Sequence, residues 1–394
     1  MSKWEMVRLG DVGVIITGNT PRKSDLKNYE TNDIPFYKPG DFIEGRISSL
    51  RKAENNISTY AKKSARILPQ GSVLVTCIGI IGKIGVIQEE SACNQQINAI
   101  IPDEIICFNR YLSYAILHIN KSLNDIANSA VVPIINKSQF SNIIIPLPPL
   151  DIQKKIAAAL DTANALIEKR KEQIEKLDLL IKSQFIEMFG DPVTNPKGWE
   201  KKHLEEIANV GSSRRVFVEE LVNEGVPFYR GTEIGAMGTG ESITPSLFIT
   251  SQHYDRLKAV TGVPVIGDLL MPSICPDGRI WRVNTIDPFY FKDGRVLWVH
   301  FTEKSFDNTY LLYALKERII AEYMNIASGT TFAELKIFSL KRVSVLLPPL
   351  VFQTQFAEFV QKVEAQKALL QKSLADMEQN YQSLLQKCFK GEIF

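Results

Sequence analysis

Histidine is scarce in this sequence, with four in 394 residues. His118, His203, His253 and His300 stand far apart and lack the close spacing of metal ligands, so packed or surface imidazoles are expected rather than a metal site. The five cysteines, Cys77, Cys93, Cys107, Cys275 and Cys388, are odd in number, scattered, and form no C-x-x-C pair. That argues against a disulfide framework and a thiolate zinc site, and free thiols in a reducing cytoplasm are the simplest expectation. Long apolar runs are missing as well. The stretch 73–87 is broken by Gly79, Gly82, Lys83 and Gly85, and residues 1–10 carry charges without an apolar run of signal-peptide length. No membrane association is expected. The segment Gly79-Ile80-Ile81-Gly82-Lys83-Ile84 has neither the spacing nor the Ser/Thr of a phosphate-cradling loop and reads as a strand-connecting turn. A methyltransferase fingerprint with an Asn-Pro-Pro-aromatic tetrapeptide is also absent, and Leu147-Pro148-Pro149-Leu150 has no amide to hold an exocyclic amine. The chain is therefore expected to carry no catalytic centre and no cofactor of its own.

An excess of charge of one sign is also lacking. The sequence holds 46 Lys and Arg against 44 Asp and Glu, a net charge of +2, whereas many polyanion binders are far more basic. Residues 1–150 hold 16 cations against 13 carboxylates, and residues 191–350 hold 18 against 19. A phosphate-binding surface has to come from local clustering rather than bulk charge.

What the sequence does contain is a repeat, and a missed repeat would miscall the fold. Trp4-Glu5 with Leu9 returns as Trp199-Glu200 with Leu204, and Ile34-Pro35-Phe36-Tyr37-Lys38 returns as Val226-Pro227-Phe228-Tyr229-Arg230. Gly82-Lys83-Ile84 matches Gly278-Arg279-Ile280, and Tyr111-Leu112 with Tyr114-Ala115 matches Tyr310-Leu311 with Tyr313-Ala314. Pro148-Pro149-Leu150 with Gln153 matches Pro348-Pro349-Leu350 with Gln353. The offset drifts only from 192 to 200, so order is preserved and the gaps are loop-sized. Each copy is a globular part of about 150 residues followed by a segment of about 40. The expected division is 1–150, 151–190, 191–350 and 351–394. Runs 72–78, 97–101, 263–271 and 296–301 are rich in β-branched residues and bounded by Gly, Pro or Asp, which is strand grammar, while 110–126 and 310–325 recur at helical spacing. The expected fold class is α/β (α+β), two similar domains with mixed or antiparallel sheets.

The segments after the double prolines read as long helices. Leu160, Ala163, Ile167, Ile174, Leu177, Ile181 and Met188 follow a 4-3 alternation interrupted by Arg170 and Gln184. Phe356, Val360, Val363, Leu370, Leu374, Met377, Tyr381, Leu384 and Cys388 keep the same phase 200 residues on, with Lys367 as the polar interruption. Connectivity predicts an antiparallel pair with a domain at each end, related by an intramolecular pseudo-twofold. A helix over 151–189 spans ~58 Å at ~1.5 Å per residue, about 17 base pairs at ~3.4 Å per step. The alternative is a dimerisation or core-packing element.

Candidate contacts cluster in loops. Thr17-Gly18-Asn19-Thr20-Pro21-Arg22-Lys23-Ser24 is a small-polar loop ending in two cations, and Gly211-Ser212-Ser213-Arg214-Arg215 has the same character. Such loops bring N–H groups, hydroxyls and guanidinium forks to phosphates and base edges; the alternative is a solvated loop. Lys62, Lys63 and Arg66, with Lys38 and Arg230 beside the repeated Phe-Tyr pairs, are further phosphate candidates, and the aromatics themselves read as core. Lys83 and Arg279 sit on equivalent turns. Asn94-Gln95-Gln96 offers amides able to read adenine, or else a buried amide network, with Gln95 and Gln96 as the candidates.

These features together resemble the specificity subunit of type I restriction-modification enzymes, over nearly the full length. They are the Trp4 and Trp199 domain starts, the Gly18-Asn19-Thr20-Pro21 loop, Pro35-Phe36-Tyr37 and Pro227-Phe228-Tyr229, and the paired Leu-Pro-Pro-Leu-x-x-Gln segments at 147–153 and 347–353. The resemblance implies two target recognition domains, each reading half of a bipartite site in double-stranded DNA, with the helices setting the gap. It also implies assembly with two modification subunits, which methylate adenine with S-adenosylmethionine, and two ATP-dependent restriction subunits, so that S-adenosylmethionine, ATP and Mg belong to the partners. The second loop departs from the Thr-Pro form of the first. The competing expectation is a non-DNA scaffold in which the helices space two protein-binding domains; a smaller methylation complex is a further one.

Overall fold

The computed structural model describes residues 3–127, 132–302, 306–329 and 333–394, the side chains of 121, 122 and 124 apart. It divides into two compact units, Met1–Glu172 with Lys372–Phe394, and Gln173–Gln371.

In the first unit a five-stranded sheet runs from edge to edge as Gly13–Thr17, Ile97–Pro102, Val73–Thr76, Ile84–Ile87 and Ile47–Leu50. The first four are antiparallel neighbours, and Ile47–Leu50 joins parallel to Ile84–Ile87. Val73–Thr76 is buried throughout, which explains its unbroken apolar run. Val73 and Val75 pack with Tyr111, Leu112 and Ala115 of the helix Asn109–His118, while Leu74 packs with Tyr37, Phe42 and Leu68. A three-stranded sheet places Ile34–Tyr37 between antiparallel Asn55–Ile57 and parallel Ala92–Cys93. The strand Glu5–Arg8 pairs antiparallel with Ile144–Leu147.

The second unit repeats this plan. Its four-stranded sheet, Ala208–Gly211, Val296–Phe301, Leu269–Pro272 and Trp281–Arg282, is antiparallel. Val226–Tyr229 lies between antiparallel Phe248–Ile249 and parallel Tyr290–Phe291. The two Pro-Phe-Tyr segments are thus central strands of equivalent small sheets. Glu200–His203 pairs with Ser344–Leu347 as its counterpart does.

Two expected elements differ in extent. The strand read over 263–271 begins only at Leu269, because Asp268 N–H donates to the Val265 carbonyl in a turn and Gly267 takes φ +96°. The helix read over 110–126 breaks at Ile119 into Asn109–His118 and Asn120–Ile126, whereas Asn308–Ile326 continues through a non-helical Glu322.

The long helices are Leu150–Phe189 and Leu350–Lys390. Within the first unit Ile156, Ala157 and Leu160 pack with Leu385, Cys388 and Phe389, and Lys171 pairs with Glu378 at 3.1 Å, so the two segments run antiparallel. Within the second unit Phe185 and Phe189 pack on Phe356, and Lys367, the polar interruption, is paired with Asp178. Ala163, Ile174, Leu177, Leu370, Leu374 and Met377 are only half-buried, since two helices alone cannot close a seam. Phe185, Phe189, Leu385 and Phe389 are buried as well although they lie off the 4-3 alternation, because they enter the cores of the α/β domains.

The repeated Gln and Trp are fasteners. Gln153 is buried; its amide donates to the Ile106 and Pro148 carbonyls, both at 2.9 Å, and accepts from Phe108 N–H at 2.8 Å. Gln353 donates to the Pro348 carbonyl at 2.7 Å and accepts from Asp307 N–H at 3.0 Å. Each ties the start of a long helix to the residue that begins a domain helix. Trp199 Nε1 donates to the Phe189 carbonyl at 3.0 Å and Trp4 Nε1 to the Cys388 carbonyl at 3.4 Å, so each domain start holds the end of a long helix.

Candidate nucleic-acid interface

In the first domain the loop at 18–24 leaves the edge strand Gly13–Thr17 and is tied down by its own backbone. A Cβ on Gly18 would stand 2.2 Å from the Asn94 carbonyl oxygen and 2.4 Å from that of Cys93, so only glycine allows this approach. Asn19 donates from Nδ2 to the Ser64 carbonyl and accepts from Arg66 N–H, each at 2.8 Å, and Arg66 donates to the Thr17 carbonyl at 2.6 Å. Asn28 Nδ2 and Tyr29 hydroxyl donate to the Arg22 and Pro21 carbonyls. Thr20 hydroxyl donates to Gln95 Oε1 at 2.8 Å. Arg22 and Lys23 are exposed and have no ion pair among the described residues.

Thr20, Lys23, Lys38 and Gln95 line one cleft of about 780 Å³, with Asn19 and Arg66 bracing its loop. Lys38 Nζ donates to Asn55 Oδ1 at 2.7 Å. Lys62 is ion-paired with Glu90, and Lys63 sits 4.6 Å from the Tyr60 ring centroid. Lys83 does not line the cleft; its ammonium donates to the Phe42 carbonyl at 3.3 Å. Gln96 is occupied with its neighbour Asn94, whose Nδ2 donates to Gln96 Oε1 at 2.8 Å, the amide network that competed with base reading.

The second loop is built differently. Ser212 hydroxyl donates to the Val296 carbonyl at 2.6 Å and accepts from Gly294 N–H, and Ser213 hydroxyl donates to the Phe291 carbonyl. Arg214 N–H donates to the Tyr290 hydroxyl at 2.9 Å, while its guanidinium has no ion pair among the described residues. Arg215 is 71% exposed, 3.8 Å from Asp293 and 5.6 Å from the Phe217 ring. Both serines hold the loop, and both arginines are offered to solvent. Arg230 is paired with Glu233, which raises the guanidinium's pKa; burial pushes the Glu233 carboxyl up, but the hydrogen bonds from Arg230 outweigh it and hold the carboxyl below its ordinary value. Arg279 pairs with Asp277 at 2.9 Å in a cleft that also receives Arg282 and Lys316. The structure therefore leaves Arg22, Lys23 and Arg214 without an ion pair among the described residues, Lys63 with a ring contact alone, and Arg215 with one long pair to Asp293.

Residues that sequence reasoning missed are Asn32, Asn55 and Asn56, which line the first cleft, and Lys292, exposed beside Tyr229. Asn55–Ile57 has no strand signature of its own; it is placed by antiparallel pairing with Ile34–Tyr37. No group of three His, Cys, Asp or Glu able to hold a metal occurs among the described residues, and no described helix is long and apolar enough to cross a membrane.

The family model for the type I restriction modification DNA specificity domain matches this chain twice, over residues 1–176 and 196–379. The chain belongs to that family. Among curated members, a type I restriction enzyme specificity subunit of Methanocaldococcus jannaschii, MjaIX, is 28% identical over 99% of this chain and 93% of its own length. The HindI specificity subunit of Haemophilus influenzae is 34% identical over 44% of this chain and 39% of its own. A chain from a structural study of assembly and conformational transition in a type I restriction-modification system shares the fold at a TM-score of 0.60 and 18% identity, covering 99% of this specificity chain and 98% of that one. The specificity subunit from M. genitalium shares it at 0.53 and 15% identity, covering 98% and 96%.

Proposed function

We propose that this chain is the DNA-reading subunit of a type I restriction-modification complex, each α/β domain recognising half of a bipartite site and the long helices setting the gap and docking the modification subunits. The observation that carries the reading is the double family match, one over each copy of the repeat. It favours DNA recognition over a non-DNA scaffold. The chain itself performs no chemistry in this account. Two modification subunits supply adenine methylation with S-adenosylmethionine, two restriction subunits supply ATP- and Mg-dependent cleavage, and the complex works on DNA in the cytoplasm.

The exposed loop cations support the reading physically. Arg22 and Lys23 in one loop and Arg214 and Arg215 in the other lack strong carboxylate partners, so little internal pairing has to be broken before a phosphate or a guanine is met. The test is affinity for duplex DNA against salt, with the partner subunits present. A reader loses affinity with a log-log slope of roughly −0.9 per neutralised phosphate. A scaffold gives a flat line.

A further inference from the structure

The first domain's cleft contains more amide than cation. Asn32, the consecutive Asn55 and Asn56 of one edge strand, and Gln95 line it, together with Lys23, Lys38 and buried Phe36. Two of these amides are committed: Asn55 Oδ1 accepts from Lys38 Nζ, and Gln95 Oε1 accepts from the Thr20 hydroxyl. The side chains of Asn32 and Asn56 have no hydrogen-bond partner among the described residues, so each presents a donor and an acceptor side by side. That pair complements the N6–H and N7 of adenine in the major groove, where Asn binds in bidentate fashion. Glu54 also lines the cleft, exposed and without an ion-pair partner among the described residues. An unpaired carboxylate repels phosphate, so the cleft suits base edges, and the lysines suit the flanking backbone.

The comparable cleft of the second domain is lined differently, with Asn284 as its amide. Its three-stranded sheet places Phe248–Ile249 where the first has Asn55–Ile57, and the cleft beside Tyr229 is walled by Trp281 and Phe289.

We propose that Asn32 and Asn56 are specificity-determining residues of the first domain, each reading an adenine through its side-chain amide. The inference rests on the DNA-reading function above. The test uses the methylating complex assembled with its modification subunits, a randomised DNA library and methylation-sensitive sequencing. Asn56→Ala and Asn32→Ala are each expected to lower the preference for adenine at one position of one half-site by about 10- to 100-fold, with the other half-site and the gap unchanged. Asn56→Asp keeps the shape of the side chain and removes the donor, so preference at that position should move from adenine toward cytosine, whose amino group a carboxylate accepts. Unaltered motifs for all three variants would overturn the inference while leaving the parent reading intact. If Asn56→Ala abolishes methylation, Asn56→Asp decides, and an unchanged adenine there overturns the assignment. A wild-type complex that methylates without a bipartite motif would overturn the parent reading, and this inference with it.

Discussion

At the residue scale, the side chains that matter are separated by whether the fold already uses their polar atoms. Asn19, Ser212 and Ser213 look like contact residues in sequence, yet each hydrogen-bonds backbone groups of its own domain and shapes a loop. Arg214 and Arg215 are the opposite case. Replacing both with alanine is expected to weaken recognition of one half-site and leave the other preference intact, measured by competition among half-site variants; equal loss at both would contradict modular reading. If the two contact phosphates, the salt slope should flatten by about 1 per lost contact. Gln153 makes a purely structural prediction. Gln153→Ala leaves Phe108 N–H and two carbonyls unpaired in a buried place, which should cost about 1–3 kcal/mol in urea unfolding without changing the DNA motif.

At the element scale, the long helices were legible from their 4-3 alternation and from prolines that mark their starts, because helix periodicity is a local signal. Part of their buried surface was not. Phe185, Phe189 and Phe389 fall outside the alternation and are buried by domains distant in sequence, which periodicity cannot register. Phe189 lies 4.6 Å from the Tyr310 ring and 5.5 Å from that of Phe356, so Phe189→Ala should cost about 3–5 kcal/mol. The amide cleft was hidden for a related reason: Asn32, Asn55 and Gln95 meet only through the pairing of Ile34–Tyr37 with its neighbours. Helix ends also carry a pH dependence. Burial, and then Lys390, hold the His118 pKa below its ordinary value, and the ring stacks on Phe389 at 4.9 Å. The folded state therefore binds fewer protons there than the unfolded chain, and this contribution is lost as pH falls below about 6.5 toward the lowered folded value. His118→Gln should flatten the fall in unfolding free energy over that range.

At the scale of the whole molecule, one sequence feature organises everything else: two copies of an α/β domain, each followed by a long helix. The repeat could be read from sequence because the Trp, Pro-Phe-Tyr and Pro-Pro-Leu-x-x-Gln markers recur in order, and the structure gives them equivalent hydrogen bonds in both units. What each domain recognises could not, since loops of similar composition are held by different partners. The proposed spacer role has its own consequence. Four residues added to each long helix, after Arg170 and after Lys372, lengthen the pair by ~6 Å, about two base pairs. The tolerated gap should grow by that amount and the half-sequences should stay. The measurement that tests the central claim most directly is the methylated motif of DNA exposed to the assembled complex. The account predicts two short specified sequences separated by a gap of fixed length and free sequence; one continuous motif, or methylation without sequence preference, would contradict it.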